Sequence, residues 1–353
     1  MHMKMCIYLN RGERVKNIGL YIHIPFCERK CFYCDFLSFT NREDLVEKYI
    51  DYLKKELNLY KERLIDYEIN TIFIGGGTPS HIEAKYIEKL LTYIYKNFNT
   101  ARLEEVSIEV NPKGLNKEKA KAYKRAGINR ISLGLQTLND NHLKSIGRLH
   151  RKEDFIVSYE ILKDLGFNNI NVDLIFGLPG QTVEDVIYDV ENICQLDIKH
   201  LSYYSLILEE GTLMHKLYEK GRLDLPDEEE ERQMYYTIVE SLGKEGFIHY
   251  EISNFAKENY QCIHNKYYWE IKPYIGIGMG SHSNSDGKRY WNSRRFDEYF
   301  AKLDQGQYPI IGQEKIDKKM EMAEYCIMGI RLIKGINRTL FKERFRVDLE
   351  DIY

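Results

Sequence analysis

Cys27, Cys31 and Cys34 are three of the chain's seven cysteines, and they sit together in the run Tyr21-Ile-His-Ile-Pro-Phe-Cys-Glu-Arg-Lys-Cys-Phe-Tyr-Cys-Asp-Phe36. Thiolates ligate iron–sulfur clusters, and cysteines spaced this closely in a loop reach different irons of one cube. Three thiolates leave one iron without a protein ligand, a position where another molecule can bind the metal directly. Structural zinc is the competing chemistry. Zinc takes four ligands, and His23 would complete a Cys₃His set, although it lies in an extended run ending at Pro25 rather than at the usual ligand spacing. The spacing by itself favours a cluster and leaves zinc open.

The elements that must position this loop are legible as short apolar or alternating runs: 19–24, 71–74, 105–110, 130–135, 170–176 and 200–206. Each is rich in Ile, Val, Leu or aromatic residues and reads as a strand. Charged stretches of helical period separate them, at 44–63, 82–97, 117–126, 152–165 and 183–195, with Gly127 and Gly166 as C-terminal stops. Six such units in series imply a parallel sheet with right-handed crossovers, either a partial barrel or a doubly wound sheet. Both folds put the site at the C-terminal edge of the strands. The chemically informative residues fall at that edge: the cysteine loop after the first strand, Gly75 after the second, Glu109 at the end of the third, Gln136 after the fourth and Asp173 within the fifth. The glycine run lacks the Lys-Ser/Thr ending of a phosphate-binding loop.

With these residues in place, the sequence resembles the radical SAM superfamily. More narrowly it resembles the branch that joins the oxygen-independent coproporphyrinogen III oxidases to the haem chaperones. The resemblance rests on YIHIPFC, GGGTPS, SIEVNP, ISLGLQ, IGRLH and NVDLIFGLPGQT, in that order, and extends from residue 19 to about 300. It implies an α/β fold, a partial (β/α)6 radical SAM barrel over 19–208, preceded by an N-terminal extension (1–18) and followed by a smaller α+β C-terminal domain (209–353). It implies a [4Fe–4S] cluster on Cys27, Cys31 and Cys34. It also implies S-adenosylmethionine (SAM) on the open iron, with contacts from Tyr21, Tyr33, Gly76, Gly77, Thr78, Glu109, Gln136, Arg148 and Asp173. Carboxylates there can accept from an ammonium or from ribose hydroxyls, and Arg148 can pair with a carboxylate.

Two members of the branch are told apart by sequence. The oxidases carry a fourth cysteine where this chain has Phe36, and a longer segment ahead of the loop. The chaperones carry H-N-x-x-Y-W, here His264-Asn-Lys-Tyr-Tyr268-Trp269. The resemblance implies haem as cargo, with His264 a candidate axial ligand flanked by Tyr268 and Trp269, and with His23 and His282 as competitors. On chemistry alone, a core histidine beside packed aromatics in a strand is the plainer reading. The implied partners are haem-requiring respiratory proteins and a flavodoxin- or ferredoxin-type reductant. The rivals are coproporphyrinogen III oxidation and a zinc-stabilised, non-enzymatic binding module.

Composition sets the bounds. A net charge of -3 over 353 residues gives no bulk attraction to nucleic acid. No apolar run is long enough to span a bilayer, and 1–16 lacks the apolar stretch of a signal peptide, which points to the cytoplasm, with transient membrane association left possible. Cys6, Cys194, Cys262 and Cys326 read as buried free thiols. The run Glu228–Glu231 reads as a solvated helix start. The chain ends as a basic helix (338–346) finishes, which reads as a C-terminal module cut short.

Overall fold

The computed structural model describes residues 16–353; Cys6 and nearly all of the expected 1–18 extension lie outside them. Strands and helices alternate through the first half: β1 (Lys16–Ile24), α1 (Val46–Leu59), β2 (Tyr67–Gly76), α2 (Ala84–Asn97), β3 (Glu105–Val110), α3 (Lys117–Arg125), β4 (Arg130–Gln136), α4 (Asp140–Ser145), α5 (Lys152–Asp164), β5 (Asn169–Phe176), α6 (Val183–Cys194) and β6 (His200–Ser205). The second half adds α7 (Leu213–Tyr218), α8 (Glu228–Lys244), β7 (Ile248–Glu251), β8 (Asn254–Ala256), α9 (Ile263–Trp269), β9 (Tyr274–Ile277), β10 (His282–Ser285), β11 (Lys288–Asn292), α10 (Phe296–Asp304), β12 (Ile310–Lys315), α11 (Lys318–Gly329) and α12 (Arg338–Phe345).

β1 to β6 pair in sequence order, all parallel. A doubly wound sheet would reverse its order at a switch point; this one does not, so the partial barrel is the fold. The barrel stays open. β9 adds to β1 on one side, followed by β10, β11 and β12, while β8 and β7 add to β6 on the other, giving one twelve-stranded sheet. The outward side chains, such as Ile72, Ile74, Ile108, Leu133, Val172 and Leu201, pack under the helices in one continuous core. The inward set is polar, Glu105-Ser107-Glu109 on β3 and Asn171-Asp173 on β5 being examples, because alternation sends every second residue into the barrel.

Local signals behave as read. Gly127 and Gly166 adopt φ of 84° and 74° just past α3 and α5. Asp227 caps α8 in a capping box with Glu230, so the acidic run is a helix start. Two expectations change. The H-N-x-x-Y-W segment is helical, α9, where a strand had been the plainer reading; helical spacing puts His264 and Tyr268 one turn apart on one face, and their side chains bond each other. Of the dispersed thiols Cys262 is buried, whereas Cys194 and Cys326 are only half-buried.

Glu56 ties the two halves together. It is fully buried on α1 and accepts hydrogen bonds from Gly278 N (2.8 Å), Asn292 Nδ2 (2.6 Å) and the Tyr299 hydroxyl (2.5 Å). Glu56→Ala would strand three buried donors, each costing about 1–3 kcal/mol. We expect a loss of at least about 3 kcal/mol in denaturant unfolding, and a much smaller one for Glu56→Gln, which keeps an acceptor. Equal losses for the two variants would show that the bond from Asn292 Nδ2, toward which the glutamine turns an amide donor, holds the junction.

Candidate cluster and cofactor site

The cysteine loop leaves β1 at Pro25 and is held by backbone bonds on both flanks. Cys27 N donates to Phe39 O (3.0 Å) and Phe39 N to Pro25 O (2.7 Å). Phe32 N donates to Ile146 O (3.0 Å), and Met214 N to Phe32 O (3.0 Å). Phe32 and Tyr33 pack against a small core of Ile146, Ile175, Leu178 and Met214, so the loop's shape is set by the ends of α4 and β5 and by α7.

The three thiols are neighbours in that loop. Burial raises the Cys27 thiol, opposed by a bond to Thr78 Oγ1 (3.3 Å). Burial pushes the Cys34 thiol up to about 11, with the nearby Cys31 and Cys27 adding to the rise. Such thiols are protonated at neutral pH, so a metal that binds them must displace the proton. Arg148 donates to Cys31 Sγ (3.6 Å) and to Gly134 O (2.7 Å). Gly77 lies against the loop so closely that a Cβ there would come within 3.0 Å of Cys27 Sγ and 2.9 Å of Phe26 O. The thiol set, with a charged donor beside it and bare backbone over it, fits an iron–sulfur cube.

The zinc alternative fits less well. His23 is buried, and both ring nitrogens are in use: Nε2 contacts Leu37 O (2.8 Å) and Nδ1 the Tyr21 hydroxyl (2.9 Å). Burial lowers its pKa to about 4. Among the described residues no three His, Cys, Asp or Glu side chains converge on one ion. A cube does not require that, since each thiolate takes a different iron.

Next to the thiols, inside the barrel mouth, lie the polar groups expected from the strand ends. Gly76 N donates to Glu109 Oε2 (3.0 Å), and the φ of 118° at Gly76 turns the backbone under the His23 ring, where a Cβ would sit 2.6 Å away. Asp173 accepts from Ser132 Oγ (2.9 Å) and Asn171 Nδ2 (2.8 Å). Gln136 ends β4 at a bulge with φ of 73°, a strained conformation for a non-glycine residue and of the kind found at ligand sites. Burial pushes the Glu109 carboxyl up to about 8, and Asp173 adds to the rise. Burial raises Asp173 as well, against its hydrogen bonds. Both carboxyls thus sit above the usual carboxylate range, and a cation beside them would favour their ionised forms.

Tyr21, Tyr33, Gly76, Gly77, Thr78, Glu109, Gln136, Arg148 and Asp173 thus gather at one end of the barrel, around the thiols. His264, Tyr268 and Trp269 lie on α9, and the Tyr268 hydroxyl, raised first by burial, reaches near enough to the mouth for Tyr21 and Glu109 to add to the rise. His264 is 0% exposed, with Nδ1 bonded to Thr71 Oγ1 (2.9 Å) and Nε2 to the Tyr268 hydroxyl (2.9 Å). His282 is exposed and stacks on Trp291. Sequence reasoning missed Glu105, which accepts from the backbone N–H of Ile263 (2.9 Å) and His264 (3.0 Å) and seats α9. It also missed Ser132 and Asn171, which orient Asp173. The signal was available, because all three alternate with residues already singled out on the same strands.

An open parallel barrel with a three-thiol loop and two buried carboxyls at its mouth is the arrangement of a protein class that comparison with known proteins names. The sequence profile of the Radical SAM superfamily matches residues 21–193. The chain is 36% identical over 334 residues to the heme chaperone HemW of Bacillus subtilis, covering 94% of this chain and 88% of that protein. It is 38% identical to the heme chaperone HemW of Lactococcus lactis, with coverage of 94% and 86%. It superimposes with a TM-score of 0.82 on coproporphyrinogen III oxidase (HemN) from Escherichia coli, described as a radical SAM enzyme, at 20% identity over 94% of this chain and 79% of that one. The chain belongs to the radical SAM superfamily and, within it, to the family of the proteins named heme chaperone HemW. The cofactors of that superfamily are a [4Fe–4S] cluster and SAM, and when bound the cluster supplies one electron to the sulfonium.

Proposed function

We propose that this chain binds haem and hands it to haem-requiring respiratory proteins in the cytoplasm, with a [4Fe–4S] cluster on Cys27, Cys31 and Cys34 and SAM in the barrel mouth. The likeness to proteins named for haem chaperoning over 94% of the chain carries this reading. The SAM contacts are Tyr21, Tyr33, the backbone of Gly76 and Gly77, Thr78, Glu109, Gln136, Arg148 and Asp173. A flavodoxin- or ferredoxin-type carrier supplies the electron, and the segment 209–353 carries the haem-handling role. Among the described residues no helix is long and apolar enough to cross a membrane.

Phe36 supports the chaperone over the oxidase. It stands where the oxidases carry a fourth cysteine and is 61% exposed at the rim of the loop. The test is anaerobic reconstitution followed by haem titration, read in the Soret band. We expect saturable binding, and no conversion of coproporphyrinogen III to a vinyl-bearing product in the presence of SAM and a reductant. Turnover at enzyme-like rates, on the order of 1 per second, would replace the chaperone with the oxidase.

A further inference from the structure

Between α9 and the barrel mouth the interior holds a column of rings. His264 stacks on Phe73 (centroids 5.3 Å apart, 28° between planes), and Phe73 stacks on Tyr21 (6.3 Å, 24°). Tyr21 then bonds His23, and His23 bonds Leu37 O in the segment that follows Cys34. The column begins at the H-N-x-x-Y-W helix and ends at the cysteine loop.

Its packing leaves almost no slack. A Cβ on Gly19 would approach His264 Cε1 to 3.4 Å and Thr71 Oγ1 to 3.2 Å, and one on Gly75 would come within 2.9 Å of Phe73 Cε1 and 3.1 Å of Glu109 Cδ. These glycines let the rings lie flat on neighbouring strands, one beside each of the lower two rings. The lower end is anchored with equal care. Both His264 nitrogens are bonded, and Glu105 holds the start of α9 through two backbone donors. Burial lowers the His264 pKa to about 4, so the ring is neutral and stacks without a charge to solvate.

The upper end has a direction. Leu37 O can only accept, so His23 Nε2 carries the proton and Nδ1 accepts from the Tyr21 hydroxyl. The Tyr21 oxygen is left with its lone pairs as acceptors; burial raises its phenol pKa, and Glu109 is close enough to add to the rise. A ligand ammonium or hydroxyl entering the mouth would meet two acceptors, the Tyr21 oxygen and the Glu109 carboxyl, at a height set by the rings beneath.

We propose that His264 is a positioning residue for SAM: it supports Phe73 and, through Phe73, fixes Tyr21 at the cofactor pocket. This rests on the reading of the barrel mouth as the SAM pocket, and it adds that the α9 helix and that pocket are mechanically one unit. His264 touches neither the thiols nor the pocket. Removing its ring lets Phe73 drop into the space and lowers Tyr21, while the cysteine loop keeps its own backbone ties.

The test compares reconstituted wild type with His264→Ala, His264→Phe, Phe73→Leu and Asp173→Ala. Iron and sulfide content, the electron paramagnetic resonance spectrum of the reduced cluster with and without SAM, the SAM dissociation constant and haem binding are measured on each. We expect His264→Ala and Phe73→Leu to keep the cluster but raise the SAM dissociation constant roughly tenfold and weaken the SAM-induced spectral change. His264→Phe, which keeps a flat ring, should recover most of both. If His264→Ala fails to fold, Phe73→Leu carries the same expectation. Wild-type SAM affinity in folded His264→Ala or Phe73→Leu overturns the proposal, as does a change confined to haem binding or to thermal stability. Absence of SAM binding in wild type refutes the pocket reading itself, and the proposal with it; loss in Asp173→Ala alone refutes only the column.

Discussion

Cys34→Ala yields a protein that folds and holds almost no cluster. Wild type reconstituted anaerobically should carry about four irons and four sulfides per chain, and each of Cys27→Ala, Cys31→Ala and Cys34→Ala should bring this close to zero. The effect is all-or-none because each thiolate serves a different iron, and two ligands do not retain a cube against free thiols and chelators. The fold survives because the loop is shaped by backbone bonds from Phe39, Ile146 and Met214, none of which involves a thiol. Burial of Cys27 and Cys34 keeps both thiols protonated in the free chain, so uptake of iron should release protons. Tight zinc, with no cluster-type absorption after reconstitution, would return the loop to a structural metal site.

SAM affinity should rise steeply with pH below about 8 and level off above it. The Glu109 carboxyl titrates near 8 in the free chain, held up first by burial and then by Asp173. At neutral pH it is mostly protonated, whereas a ligand carrying a sulfonium and an ammonium favours the ionised form. Binding is therefore coupled to proton loss, worth up to tenfold in affinity for each pH unit below that value. Glu109→Gln removes the coupling: its affinity should be low, flat with pH, and without the proton release that calorimetry in buffers of differing ionisation enthalpy detects. The sign for stability is the opposite of the usual carboxylate. With the folded pKa above the unfolded value of about 4.5, the unfolded state binds fewer protons between those two values, and ligand-free stability falls as pH rises through that window. Glu109→Gln without ligand should therefore be more stable than wild type at pH 7, by on the order of 1–3 kcal/mol. A glutamine variant that binds SAM with the same pH profile as wild type would place the titrating group elsewhere.

Much of the site was readable because it depends on local rules. The strand and helix limits follow from periodicity and stops, as at Gly127 and Gly166. The cysteine spacing names its own chemistry, and the parallel order follows from alternating strands and helices. Given those, Glu109, Gln136 and Asp173 had to meet at one edge, since strands of a parallel barrel all end on the same side. The α8 start was legible for the same reason, its cap and acidic turn being neighbours in the chain.

Other features belong to contacts between residues far apart in sequence. Nothing in His264-Asn-Lys-Tyr-Tyr-Trp says that it forms a helix seated on Glu105, because a seven-residue helix has little stability of its own and forms where tertiary partners satisfy its ends. His23 read as a possible zinc ligand until its two nitrogens met Leu37 and Tyr21. Glu56, in a helix of ordinary charged pattern, became a buried acceptor for three donors on other elements. The height of the carboxyl pKa values, the ring column and the openness of the barrel arise the same way. The sequence determined which residues could do chemistry and along which edge they lie. The tertiary structure decided how deep each is buried and what each already bonds, and therefore which are free to receive a ligand.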